Sequence, residues 1–166
     1  MKNPQREPAK ASDRVCRGGC CWKRHGDLGE DLQSLHQAIH PSTWSDIRQL
    51  MARAARGTVR STEWEYPCRS SHGRVGELKT SVTEAVQVDD VDDPDTDDGT
   101  VDMRVHYRIY YHEPSLHETE LWAMAAGSKC KDARYRSTNQ DDDIARARDR
   151  TDGTPLNGDG LMDMPV

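Results

Sequence analysis

The sequence predicts an α+β fold, a small antiparallel sheet of three to four strands packed on N-terminal helices and closed by a C-terminal helix. Three patterns predict it. Apolar residues recur at helical spacing before Gly57, they alternate strictly from Val101 to His112, and a charge-polarised helical stretch follows Asn139. A chain of 166 residues has room for one ordinary domain plus tails, so a single core is expected.

Residues 1–25 mix Pro, Gly and seven Lys or Arg without periodicity and read as a basic flexible arm. The domain proper spans 26–150. Its first helix is marked by Leu28, Leu32, Leu35 and Ile39, one apolar stripe ended by Pro41. In the second, Thr43 can cap, Ile47, Leu50, Met51, Ala54 and Ala55 form the buried face, and Gly57 stops the helix.

From Arg74 to Val88 the period becomes two. Leu78, Val82, Val86 and Val88 lie on one side, and Glu77, Lys79, Ser81 and Thr83 on the other, the pattern of a half-buried strand. An acidic loop, 89–100, follows; its seven aspartates, with Pro94 and Gly99, favour a solvated turn. In the next strand Val101, Met103, Val105, Tyr107, Ile109 and Tyr111 alternate with Asp102, Arg104, His106, Arg108, Tyr110 and His112. After a turn at Pro114, Leu121–Ala126 is apolar on both sides, as a covered strand would be, and the short connection makes its pairing antiparallel. The last helix is capped by Asn139 or Thr138, with Asp141–Asp143 at the positive end of its dipole and Arg146, Arg148 and Arg150 towards the negative end. Residues 151–166, rich in Gly, Pro and Asp, read as a disordered tail.

The formal charge of −6 argues against a nucleic-acid partner, but the seven aspartates of the acidic loop account for it, and without them the balance would be +1. No apolar run approaches the roughly 18 residues of a membrane span, and the N-terminus lacks the apolar segment of a secretory signal. A cytoplasmic protein with no membrane partner is expected. Five cysteines without an export signal imply reduced thiols. Cys16, Cys20, Cys21 and His25 are weak metal candidates, since they could offer soft ligands but not at a standard zinc spacing. No cofactor is expected. Trp44, Trp64 and Trp122 read as packing residues.

If the helices cover the Leu78, Val82, Tyr107 and Ile109 face, the other face gathers Glu77, Lys79, Arg104, His106, Arg108, Tyr110 and His112. Cations, aromatics and histidines together can hold a phosphodiester and move a proton. His106 and His112 are the candidate proton carriers on this facing argument.

Four segments in order, GRVGELKTS, HYRIYYHEP, ELWAMAAGSKCKDARY and DDDIARARDR, resemble the RelE/ParE toxin superfamily, including its HigB-type and phage-borne relatives, over residues from about 42 to 150. The resemblance implies a RelE-like domain and cleavage of messenger RNA, often on the ribosome, by attack of a ribose 2′-hydroxyl on the neighbouring phosphate. By matching segment, it places Lys79, Arg108, Lys129 and Lys131 as the phosphate-binding cations and Tyr135 near the scissile bond. It also implies an antitoxin protein as partner. Some branches of the superfamily act on DNA gyrase. The competing reading is a non-catalytic phage- or plasmid-encoded module of the same fold that engages a protein through its acidic loop.

Overall fold

The computed structural model describes residues 19–36, 40–87, 99–132, 134–135 and 137–166. The basic arm as far as residue 18, Cys16, Ile39 and the acidic run through Asp98 lie outside the described residues.

Element order is β1 (Cys21–Arg24), α1 (Leu28–His36), α2 (Pro41–Ala55), β2 (Trp64–Glu65), β3 (Gly76–Gln87), β4 (Thr100–His112), β5 (Glu120–Cys130), α3 (Gln140–Gly153) and β6 (Met162–Met164). The class is α+β, as expected, but the sheet is not a three- to four-stranded antiparallel one. It has six strands in the order β2-β3-β4-β5-β1-β6 and is mixed, because β1 runs parallel to β5. The three long strands follow the predicted segments and pair antiparallel. The three additional strands have two to four residues each, too short for alternation to show.

Two of those short strands correct the expected ends. Cys21–Arg24, assigned to the flexible arm, lies inside the sheet with Trp22 buried and its indole N–H donating to Met51 O at 2.8 Å. The stretch 151–166, expected to be disordered, is folded: Thr151 and Thr154 are buried, and Met162–Met164 pairs with β1. Gly158 and Gly160 serve turns; Gly158, at φ +75°, sits against the Trp122 ring. The start of α2 also differs, since Pro41 occupies its first turn behind an extended His40, whose ring accepts from Ser42 N–H, while Thr43 is buried.

The core has two sides. Leu28, Leu35, Ile47, Leu50, Met51 and Ala54 from the two N-terminal helices pack on Leu78, Val105, Tyr107, Ile109 and Tyr111. On the opposite face, Ile144 and Ala147 of α3 pack on Tyr110, Trp122 and Met124, with Cys68 and Val75. Each fully buried side chain of leucine size contributes about 1.5–3 kcal/mol, so α3 is anchored by its own apolar contacts. The face expected to stand open is therefore half covered.

One edge of β5 is sealed without a strand. Past Ala123, where β1 ends, Asp31 of α1 accepts from Ala126 N–H at 3.2 Å, Arg150 donates to Met124 O at 2.8 Å, and Arg146 donates to Ala126 O at 3.3 Å. Thr138 and Ser137 then accept from the N–H groups of Ser128 and Cys130, both at 2.8 Å. Asp31 also grips Arg150 with two contacts of 2.7 and 3.2 Å, tying α3 to α1 around the sheet edge.

Candidate functional site

Strand register builds the site in rows. Lys79 of β3 lies opposite Arg108 of β4, which lies opposite Gly127 of β5; the next row is Ser81, His106 and Lys129, and beyond it Thr83 lies opposite Arg104. Regular alternation puts these side chains on the face away from α1 and α2. Arg104, Lys129 and Lys131 are exposed, while Lys79 and His106 are half-buried. Arg104 Nε donates to Ser81 Oγ at 2.8 Å, which draws its guanidinium towards the β3 side.

His106 is the centre of this group. Partial burial lowers its pKa below the ordinary 6.5, and the positive charges of Arg108, Arg104, Lys131 and Lys79 lower it further. The imidazole is therefore neutral at pH 7 and can accept a proton, within a ring of cations that favours an anion beside it.

Arg108 stands at the boundary with the covered half. Its side chain is 12 % exposed, and its Nε lies 3.4 Å from the Glu77 carboxylate. Burial lifts the Glu77 carboxyl above its usual range, against the pull of Arg108 and Lys79, and Gln140 of α3 donates to it at 3.2 Å. Beside them Asp143 occupies the space above Gly127; a Cβ there would stand 2.0 Å from Asp143 Oδ2. Asp143 accepts from Thr138 Oγ1 at 2.6 Å and from Arg146 at 2.7 Å, and burial raises its pKa too. Gly127 thus lets the N-terminus of α3 descend onto the sheet next to Arg108.

The structure brings together Lys79, His106, Arg108, Lys129 and Lys131, with Arg104, which the facing argument had also put on this face. It does not bring Tyr135 or His112 to them. Tyr135 lies on the helix-covered face, its hydroxyl 3.2 Å from that of Tyr107, which donates to buried Glu84 at 2.5 Å. The loop after β5 folds back across the sheet end, a turn that matching segments could not foretell. His112 is six residues from His106 along β4, about 20 Å in an extended strand. Its Nδ1 bonds Arg74 O at 2.7 Å and its ring packs on Trp122 at 5.5 Å, so it serves packing at the far end.

Of the metal candidates, Cys16 lies outside the described residues, and Cys20, Cys21 and His25 are engaged otherwise or stand apart. Cys20 is disulfide-bonded, which also corrects the expectation of reduced thiols throughout; Cys21 is an exposed thiol, and His25 accepts from Asp27 N–H at 3.2 Å. Among the described residues no group of three or more His, Cys, Asp or Glu side chains is placed to hold a metal ion. None of the described helices is long and apolar enough to cross a membrane.

Sequence reasoning missed Asp31 and Gln140, and it read Asp143, Arg146 and Arg150 only as dipole partners. Their spacing of three and four residues along α3 was visible, but the acid they meet, Asp31, is more than a hundred residues away. Compared with known proteins, the chain matches no family model, no curated protein and no solved structure.

Proposed function

We propose that the chain is a toxin-like ribonuclease of the RelE/ParE kind, acting on messenger RNA in the cytoplasm and restrained in its host by an antitoxin-like protein. The observation that carries the reading is His106, kept neutral on an accessible sheet face and surrounded by Lys79, Arg104, Arg108 and Lys131. Support also comes from the order of the helix pair, the three long strands and the terminal helix, which follows the segments that resemble that superfamily.

In this reading a phosphodiester lies across the His106 row. His106 takes the proton of the ribose 2′-hydroxyl as its oxygen bonds to phosphorus. The cations stabilise the charge that builds on the phosphoryl oxygens. The bond from phosphorus to the 5′-oxygen breaks, and that oxygen takes a proton from the Lys129 ammonium or from water. The products are a 2′,3′-cyclic phosphate and a 5′-hydroxyl.

Purified protein should cut single-stranded RNA to those ends, and expression should arrest growth. His106→Ala should slow cleavage by about 10²–10⁴-fold and relieve the arrest while leaving the thermal midpoint unchanged. Soluble wild-type protein that neither cuts RNA nor slows growth would overturn the proposal, and so would cleavage at full rate by His106→Ala.

A further inference from the structure

The edge of β3 from Thr80 to Gln87 differs from the sealed edge of β5. On that side β2 pairs only with Glu77 and Leu78 and receives one further bond, from Lys79 N–H to Glu63 O at 2.8 Å. It stops there because Glu63 is folded into a turn, accepting from Arg60 N–H at 2.9 Å and from both terminal nitrogens of the Arg53 guanidinium at 2.7 and 2.9 Å. Strand alternation then points the N–H and C=O groups of Ser81, Thr83, Ala85 and Gln87 outward, and among the described residues no strand lies beside them.

Proteins commonly guard such edges with lysine or proline. Between Thr80 and Gln87 there is no Pro, Lys or Arg, and the one acid, Glu84, is buried and held by Tyr107. The side chains flanking the edge have two characters. On the helix side lie half-buried Val82 and Val86; on the other side Lys79 lies in β3 itself and Arg104 is drawn towards it by Ser81. An added strand would therefore meet apolar surface at alternate positions and positive charge at the positions between.

We propose that the Thr80–Gln87 edge receives an extended segment of a partner protein that alternates acidic and apolar side chains, added antiparallel to β3 in line with β2. The backbone groups supply binding, and the Lys79 and Arg104 side selects acids. Nothing in this requires His106 to be catalytic.

The test uses the full chain and two labelled ten-residue peptides, one alternating Glu and Val, the other Lys and Val. Fluorescence anisotropy should show saturable binding of the Glu–Val peptide, with the Lys–Val peptide at least about tenfold weaker, a difference of roughly 1.4 kcal/mol. Thr83→Pro removes one outward N–H and leaves the bonds to β4 intact, so it should weaken binding about tenfold as well. Thr83→Asp, which keeps every backbone group, places an acid beside the incoming acids and should also weaken binding should the proline variant not fold. Equal binding of both peptides, binding insensitive to the variants, or no binding at about 1 mM overturns the proposal. So does a dimer in sedimentation that Thr83→Pro dissolves, which would make this edge an interface between two copies.

Discussion

Tyr110 and His106 lie on the same face of β4, four residues apart, and meet opposite environments. Tyr110 is fully buried beneath α3, near Glu77, Arg108 and Asp143, and burial pushes its hydroxyl far above the usual range. His106 is half-buried among cations, several of them exposed. The alternation of β4 gives both residues the same rank, so the difference comes from where α3 lands. That landing is set by Gly127, by Ile144 and Ala147, and by the grip of Asp31 on Arg150. The covered half is thus packed into the core, and the uncovered half keeps its polar side chains accessible.

The sharpest way to break this contrast is to release the clamp. Asp31 is 10 % exposed in its side chain and holds Arg150, itself 13 % exposed. Asp31→Ala should cost about 3–5 kcal/mol, because it strands a largely buried guanidinium and unseals the β5 edge. Urea denaturation measures this, and a loss below about 1 kcal/mol would show that α3 holds its place by apolar packing alone.

A middle-sized effect lies in pH. Glu77 and Asp143 have pKa values raised by burial, so the folded state binds their protons more tightly than the unfolded chain. Their contribution to stability grows as pH falls through their folded values towards 4.5 and 3.8, and is lost as pH rises. His106 has the opposite sign: its folded pKa lies below 6.5, so acidification from 6.5 down to that value removes stability. Asp143→Asn should flatten the acid-side gain in the urea midpoint; an unchanged slope would mean that this carboxyl titrates alike in both states.

The smallest effect sharpens the uncovered half. Lys131→Ala should reduce the salt dependence of RNA binding by about one phosphate contact while changing stability by less than about 0.5 kcal/mol. A stability loss as large as that of Asp31→Ala would erase the distinction between the halves.

How much of this was legible in the sequence depended on the length of each pattern. The alternation runs from Val101 to His112, nearly the whole of β4, so its two faces were readable, and Asn139 was readable as a cap, its side chain accepting from Asp141 and Asp142 N–H. CWKR and MDM are too short to carry a period, which is why two strands were missed and both ends of the chain were read as unstructured. The site divided similarly. Facing placed Lys79, His106 and Arg108 together, since register between neighbouring long strands is local information. Tyr135 and His112 were misplaced because a loop that crosses to the other face, and an imidazole held by a distant carbonyl, leave no periodic trace.

The position of β1 has a consequence for how the molecule is made. Cys21–Arg24 precedes every other strand of the sheet in the chain, yet its neighbours are Glu120–Ala123 and Met162–Met164, so roughly a hundred residues must follow before Trp22 can meet its first strand partner. The antiparallel β3-β4-β5 unit can pair as it is translated. The strand that precedes it in the chain has no parallel partner until β5 exists, and β6 has its pairing edge only on β1.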